Sequence, residues 1–356
     1  MASRSQLRCV IAAGGTAGHV MPSLAVAQAL RVRGVLVSFA GTPDRIEARL
    51  VPAAGFPFDS FRISGLPRRS GAAQLRALLL AGRAPRACAR ILSERRPDVV
   101  LGGGGYVAGP MVYAAWRKGI PAALAESDAH LGLANRLAAP FARRVFLAYP
   151  LPGRTGAKYR VVGRPVLPPN PVARGEGRLR FGLPADGPVL LVFGGSLGAE
   201  ALNEVAVESF GERGPAVLHL CGEGYLADLA GRVSRPEYRL FAWTDDFAAA
   251  LAAADLVLAR AGGSVWEVAA AGVPAVLVPS PNVTADHQTK NARYFESAGG
   301  AVVVPEPEIA RIAAVVGELL ADDARLAEMG AAMRHAAKPD AANEIAEELI
   351  ALASAR

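Results

Sequence analysis

Aromatic residues make up only 6% of this 356-residue sequence, and it holds just three cysteines. Few aromatics beside abundant Ala, Val and Leu argue against a β-sandwich and for helices packed on parallel sheets. Cys9, Cys88 and Cys221 are scattered without CxxC spacing. That excludes a disulfide framework and a thiolate metal site, and marks them as small buried side chains in a reducing compartment. No uncharged apolar run reaches the ~18 residues of a membrane span. Arg4 and Arg8 are followed by five apolar residues before Gly14, too few for a signal peptide. Also missing are GxGxxG with an acidic residue about 20 positions on, and GxxxxGK[ST], which disfavours NAD binding and a P-loop ATPase. Asp245 and Asp246 are adjacent rather than spaced as Asp-x-Asp, so no metal site is expected.

What is present describes a packed globular protein: 52% hydrophobic and 20% charged residues. A single core stops growing near ~250–300 residues, so two domains are expected. The net charge of +7 suits an anionic partner: a phosphorylated substrate, an anionic membrane or nucleic acid. Sparse aromatics and the lack of any RNA- or DNA-binding motif set nucleic acid aside.

Short apolar runs alternate with helical segments. Strands are expected at Leu7–Ala13, Val35–Ala40, Asp98–Leu101, Ala122–Ala125 and Arg144–Ala148, and helices at Pro22–Arg33, Ala84–Arg95, Pro110–Lys118 and Ala134–Phe141. Residues 164–171 hold four prolines, a stiff extended connector. The rhythm then restarts with strands at Val189–Phe193, Ala216–Leu220, Tyr238–Phe241, Leu256–Ala259, Ala275–Val278 and Ala301–Val304. Between them lie helices at Glu200–Val207, Phe247–Ala253, Ser264–Ala271 and Thr289–Ser297. Such βαβα order implies right-handed crossovers and parallel sheets. The fold class is therefore α/β, two Rossmann-like domains with parallel sheets facing a cleft. The expected division is 1–163, a linker at 164–171, 172–335, and a helical tail at 336–356.

The halves echo each other. Gly14-Gly15-Thr16-Ala17-Gly18 follows the first strand of one, and Gly194-Gly195-Ser196-Leu197-Gly198 follows the first strand of the other. A glycine-rich turn opening a helix exposes backbone N–H groups at a positive helix end and suits phosphate. A third cluster, Gly102-Gly103-Gly104-Gly105-Tyr106, reads as a surface where a bulky substrate approaches the backbone. The turn Ala261-Gly262-Gly263-Ser264 opens a further helix, with Glu267 three residues after Ser264 as in a capping box. A carboxylate there also suits vicinal hydroxyls. Asp286, His287, Gln288 and Asn291 are polar groups for a sugar. His19, on the rim of the first turn, suits a general base of near-neutral pKa.

The runs AAGGTAGHVMPSLAVAQAL, GGGGYVAGP, GLANRLA, VVGRPV, VFGGSLGAEALN, RAGGSVWEVAAAGVPAVLVPSP and DHQTKNA resemble, in order and spacing, the MurG family. Its members are bacterial transferases that move GlcNAc from UDP-GlcNAc onto lipid I, giving lipid II for peptidoglycan. The resemblance covers residues 7–304. It implies the GT-B fold, with the acceptor on the N-terminal half and the UDP-sugar mainly on the C-terminal half, and no cofactor. It implies His19 as catalytic base. For the donor it implies Thr16, Arg164, Ser196, Thr244, Gly262, Gly263, Ser264, Val265, Glu267, Gln288 and Asn291. For the acceptor and its phosphates it implies Gly14, Gly15, Gly18, Gly104, Gly105, Tyr106, Glu126 and Asp128. Departures exist: the family's usual His-Glu-Gln-Asn or His-Glu-Ser-Asp reads Ala125-Glu126-Ser127-Asp128 here. Ala17 replaces a glycine, and Arg260 to Glu267 is one residue shorter than the common pattern.

Residues 66–91 alternate Arg68, Arg69, Arg76, Arg83, Arg86 and Arg90 with Leu75, Leu78, Leu79 and Leu80. A basic amphipathic stretch lies on anionic lipid, each arginine contributing ~1 kcal/mol near the surface. A peripheral protein on the cytoplasmic face of the bacterial plasma membrane is expected. Open beside this reading stand a transferase with another lipid or small-molecule acceptor, an isomerase like UDP-GlcNAc 2-epimerase, and a silent sugar-nucleotide binder.

Overall fold

The computed structural model describes residues 6–65, 71–167, 172–195 and 197–355. The chain divides into two compact units, Met1–Leu167 with Pro339–Arg356, and Pro168–Lys338.

The first unit runs Arg8–Ala13 (β1), Ala17–Val32 (α1), Leu36–Gly41 (β2), Glu47–Ala53 (α2), Phe58–Ser60 (β3), Ala72–Arg95 (α3), Val99–Gly104 (β4), Ala108–Arg117 (α4), Ala122–Glu126 (β5), Leu133–Ala138 (α5), Arg144–Leu147 (β6) and Tyr159–Val161 (β7). The second runs Arg174–Arg180 (α6), Val189–Phe193 (β8), Glu200–Phe210 (α7), Ala216–Leu220 (β9), Leu226–Ala230 (α8), Tyr238–Phe241 (β10), Phe247–Ala253 (α9), Leu256–Ala259 (β11), Val265–Ala271 (α10), Ala275–Leu277 (β12), His287–Ser297 (α11), Ala301–Val303 (β13), Ile312–Leu320 (α12) and Asp323–Ala336 (α13). A last helix, Ala341–Ser354 (α14), returns to the first unit.

Each unit holds one parallel sheet, ordered β3-β2-β1-β4-β5-β6-β7 and β10-β9-β8-β11-β12-β13. The central strands are continuous apolar runs because helices cover both faces. β8 (VLLVF) and β4 have every residue buried. The expected α/β class with two parallel sheets is what the chain forms.

Several expectations shift. α1 begins five residues before the expected Pro22 and carries that proline inside it. α3 begins twelve residues before the expected Ala84 and runs through Gly82 and Pro85. Ala77, Ala84, Cys88, Ile91 and Leu92 are buried along one stripe of it, so tertiary packing overrides two helix-breaking residues. Residues 66–70 of the basic stretch, and the connector's 168–171, lie outside the described residues. β3 and β7 were not expected; three residues are too few to display a pattern.

α14 packs on α1. Ile345 and Leu349 are buried with β1 residues. Arg33 donates to Asn343 and Glu347 at 2.9 Å each, while Arg144 and Arg160 both reach Glu348. The helix preceding it, α13, belongs to the second unit.

Candidate active site

In a doubly wound sheet, ligands bind beyond the carboxyl ends of the strands where the strand order reverses. In the first sheet that point lies between β1 and β4, which pair from Cys9–Val99 to Ala13–Gly104. In the second it lies between β8 and β11, paired from Leu190–Leu256 to Phe193–Ala259. All four of these strands end in one of the glycine-rich segments singled out above. The topology therefore joins segments 14–18 with 102–105, and 194–198 with 261–264, which sequence distance alone does not.

On the first unit, His19 lies in the first turn of α1. Its ring rests on the third glycine cluster: a Cβ at Gly104 would lie 2.5 Å from His19 Cδ2, and Gly104 and Gly105 have φ of +113° and +74°. A Cβ at Gly103 would overlap the hydroxyl of Ser23, which donates to the His19 carbonyl at 2.9 Å. The cluster read as a substrate-facing surface is thus also the floor that seats His19 and Ser23. Gly104→Ala is expected to push the imidazole off that floor and to cost about 1–3 kcal/mol of backbone strain. A melting curve and kcat on the same preparation check this. kcat should fall further than the fraction folded.

His19 Nδ1 lies 3.2 Å from Thr16 Oγ1, and a hydrogen bond to the Gly14 backbone supports the ring. Burial lowers its pKa below the ordinary histidine value, the Asp128 carboxylate opposes that, and the Arg164 guanidinium reinforces it. The imidazole is therefore neutral, and able to take a proton, at neutral pH.

Pro22 explains how Arg164 comes to be here. A helix interior would bond the residue-22 N–H to the Gly18 carbonyl, but proline has none. Arg164 Nη2 donates to that carbonyl at 2.6 Å, and Nη1 to Ser127 O at 3.4 Å. Arg164 is 8% exposed, and its guanidinium sits on the first unit, beside His19. Tyr106 lies along the same turn, its ring 3.2 Å from a Cβ built at Gly15.

Glu126 is buried and fully occupied. Its oxygens accept from the amides of Asp128 (3.2 Å) and Gly132 (2.9 Å) and from Asn135 Nδ2 (3.0 Å). Burial raises its pKa, and these bonds counter the rise. It shapes the loop that carries Asp128. Sequence reading missed a second such carboxylate, Glu47, which is 0% exposed. It accepts from Gly15 N at 3.0 Å, Thr42 N at 3.0 Å and Thr42 Oγ1 at 2.6 Å. Gly14 must be glycine because a side chain would collide with that carboxylate. No local signal marks an acid in Ile46-Glu47-Ala48 as the clamp of a turn 32 residues away.

On the second unit, Ser196 lies outside the described residues. Around it, Gly195 and Gly198 have φ of +97° and +76°, and a side chain at Gly198 would overlap the Cys221 carbonyl. Thr244 Oγ1 accepts from Asp246 N at 3.0 Å, and Asp246 Oδ1 caps α9 through Ala249 N at 3.1 Å. Asp246 is thus a helix cap. Beside Thr244, Trp243 is 56% exposed, a large aromatic face that the sequence reading did not single out.

The capping box expected at Ser264 does not form. Ser264 has helical φ and ψ of −63° and −15°, and its side chain makes no cap bond. The first turn of α10 closes through backbone bonds instead, Val265 N to Gly262 O at 3.3 Å and Glu267 N to Ser264 O at 3.0 Å. Val265's amide is thereby engaged within the turn. Glu267 is half-buried in that first turn. At Gly262 neither packing nor φ demands glycine, so its bare backbone is open to close approach. Gln288 Oε1 accepts from Ser280 N at 2.8 Å, and Asn291 Nδ2 donates to Ala261 O at 3.2 Å. These two side chains hold the loops around Gly262.

A buried polar chain supports the other turn. Asn203 Nδ2 donates to the Cys221 carbonyl at 2.9 Å. Asn203 Oδ1 lies 3.0 Å from His219 Nε2, and His219 Nδ1 lies 2.8 Å from Tyr238 Oη. Burial lowers the His219 pKa to about 4. Folded protein keeps it neutral, whereas the unfolded chain protonates it near pH 6.5. Its contribution is complete above pH 6.5 and is lost as pH falls toward 4, roughly 3 kcal/mol in all. Denaturant unfolding at pH 7 and pH 4.5 checks this, with His219→Gln expected to lose that part of the pH dependence.

Two α/β units, each with glycine turns on both strands of its switch point, define the class of two-domain glycosyltransferases with the GT-B fold. The glycosyltransferase family 28 N-terminal domain matches residues 9–147, and the family 28 C-terminal domain matches residues 189–345. Proteins named UDP-N-acetylglucosamine–N-acetylmuramyl-(pentapeptide) pyrophosphoryl-undecaprenol N-acetylglucosamine transferase are similar over nearly the whole chain. That of Salinibacter ruber is 41% identical, over 96% of this chain and 95% of its own. That of Halorhodospira halophila is 43% identical, over 94% and 96%. The crystal structure of Acinetobacter baumannii MurG superposes with a TM-score of 0.79 at 30% identity, covering 98% of this chain and 100% of that one. A UDP-N-acetylglucosamine 2-epimerase at 15% identity and a TM-score of 0.69 shares the fold alone. The chain belongs to the MurG family within glycosyltransferase family 28.

Proposed function

We propose that this protein transfers N-acetylglucosamine from UDP-GlcNAc to the C4 hydroxyl of MurNAc in the pyrophosphoryl-undecaprenol-linked acceptor, with inversion. The observation that carries the reading is the setting of His19: a neutral imidazole, seated on a glycine floor beside a phosphate-type turn. The acceptor hydroxyl oxygen bonds to the sugar's anomeric carbon as its proton passes to the imidazole. The bond from that carbon to the diphosphate oxygen breaks, and UDP leaves with the electron pair. Helix N-termini stabilise such departing charge, and those of α1 and α7 each follow a glycine turn.

In this reading Arg164, Thr16 and the turn 14–18 receive phosphate oxygens. The backbone at Gly262 and Gly263, with Ser264 and Glu267, takes the donor's diphosphate and ribose. Thr244 meets the base, and Tyr106, Gly104, Gly105 and the Glu126–Asp128 loop border the acceptor. Gln288 and Asn291 act by placing the Gly262 loop, with Gln288's amide nitrogen left for a sugar hydroxyl.

The lipid tail of the acceptor requires a surface for the bilayer. Among the described residues no helix is long and apolar enough to cross one. Leu79 on α3, Trp116 on α4, and Leu133 and Leu137 on α5 are each at least 50% exposed, and exposed Arg83, Arg86, Arg117 and Arg136 share these helices. We assign this face to anionic lipid on the cytoplasmic side of the plasma membrane. Leu133→Ser with Leu137→Ser is expected to weaken sedimentation with phosphatidylglycerol vesicles while leaving UDP affinity unchanged. Equal sedimentation would dismiss the assignment.

The test of function is radiolabel transfer from UDP-GlcNAc to a short-chain lipid I analogue. Labelled lipid II analogue is the expected product. Binding of UDP-GlcNAc without transfer points to another acceptor, and conversion of the UDP-sugar alone to an isomerase.

A further inference from the structure

The Tyr238–His219–Asn203 chain has a direction. Asn203 gives its amide nitrogen to the Cys221 carbonyl, so its oxygen faces His219 Nε2 as an acceptor. Nε2 therefore carries the proton, Nδ1 is bare, and the Tyr238 hydroxyl donates to it. All three residues lie at or below 5% exposure, where each bond is costly to leave unmade. The chain ends on the Cys221 carbonyl, against which Gly198 packs without room for a Cβ. Gly222 packs on the Leu197 carbonyl in the same way. Asn203 itself sits in the first turn of α7, its amide bonded to Ala199 O at 2.9 Å. The C-terminal end of the second glycine turn, Leu197 to Ala199, is thus referred to one side chain on β9.

We propose that His219 is a positioning residue for the donor: through Asn203 and the Cys221 carbonyl it holds the Leu197–Gly198 end of the second glycine turn in place to receive the diphosphate of the UDP-sugar. The inference rests on the reading above, that this turn binds the donor. His219 is itself fully buried, so it acts on the donor through the turn. Its effect falls on donor affinity rather than on the chemical step, which belongs to His19 on the other unit.

The groups around His219 are Asn203 on α7 and Tyr238 on β10, with Cys221 two residues on, just past the end of β9. Arg232 and Arg235 act on Tyr238, and Glu223 on Cys221. A glutamine at 219 can donate to Asn203 Oδ1 and accept from Tyr238; a leucine can do neither.

The experiment measures UDP affinity by calorimetry, and KM for UDP-GlcNAc against kcat, in wild type, His219→Leu, His219→Gln and Tyr238→Phe. Leaving buried partners unpaired is expected to raise the UDP Kd and the donor KM about ten-fold in His219→Leu, with kcat at saturating donor little changed. His219→Gln is expected to restore most of the affinity. Tyr238→Phe removes one hydroxyl and spares the fold; it should raise Kd about two- to five-fold. Ring ¹⁵N shifts should show a bare Nδ1 in wild type.

Unchanged UDP affinity in both Tyr238→Phe and folded His219→Leu overturns the proposal, even if the enzyme transfers sugar. So does a fall in kcat at constant donor KM, or an equal loss in the leucine and glutamine variants that tracks their melting temperatures. Failure of wild type to bind UDP removes the donor reading itself, and the proposal with it.

Discussion

His19→Ala is expected to lower kcat by about 10²–10⁴-fold, the usual contribution of a positioned general base, while UDP affinity stays at the wild-type value. The variant removes an imidazole but leaves the turn its main support, the bond from the Gly15 amide to Glu47. The pH profile follows from the environment. Burial lowers the His19 pKa, and the protonated ring is the inactive form. The acid limb of kcat/KM therefore falls below the ordinary histidine value rather than at it. Asp128 opposes that lowering, so Asp128→Asn is expected to move the limb to still lower pH. A rate fully retained in His19→Ala would take the imidazole out of the chemistry. An acid limb above pH 7 would contradict the neutral ring.

The second large effect concerns stability. Arg178 lies on α6 at 2% exposure. Its guanidinium donates to the carbonyls of Ala185 (2.6 Å), Gly187 (2.9 Å), Pro184 (3.3 Å) and Ala253 (3.4 Å), and to Asp255 Oδ2 at 2.9 Å. Asp255 Oδ2 also accepts from Val189 N at 2.8 Å, at the start of β8. One side chain thus ties α6, the loop before β8 and the end of α9. The contact is close because Gly177 lies against the Ala249 carbonyl, where a Cβ would sit 2.5 Å from the oxygen. Arg178→Ala leaves four carbonyls without this donor, and Asp255 keeps the half-exposed Arg174 as its ion-pair partner beside the Val189 amide. Breaking such a buried pair costs about 3–5 kcal/mol. The second unit should then melt on the order of 10 °C lower, while the first is unaffected. Calorimetry with two resolved transitions checks it. A single shift of under about 2 °C would show that water satisfies those carbonyls.

Comparison of particular elements shows what local pattern conveys. β8, β9, β10, β11 and α9 coincide with the apolar runs and periodic stripes read from the sequence. These are continuous segments whose burial demands one pattern. α1 and α3 extend past Pro22 and Pro85, against local preference, because a packed face outweighs a single lost bond. Ser264 had the spacing of a capping box and does not cap, since the turn before α10 is already closed by backbone.

The proposed site residues were legible as candidates where chemistry and spacing coincide: His19 next to Gly18, Glu267 after Ser264, Gln288 and Asn291 on one helix. Their supports were not. Glu47, Ser23 and His219 act across the fold on turns far away in the chain, and a lone acid, serine or histidine in an apolar run has no distinctive spacing. Asn203 did leave a trace, since it shares a helical face with buried Ala206 and Val207.

Local periodicity was enough for the α/β class and for two repeats of a strand–glycine turn–helix unit, and the chemistry of a single side chain made His19 the candidate base. Only the tertiary structure decided that Arg164 stands on the carbonyl Pro22 leaves free, that glycines 103–105 seat Ser23 and His19, and that α14 belongs to the first unit. Each of those is a contact between segments distant in sequence, fixed by parallel strand pairing and close packing, which no local window contains.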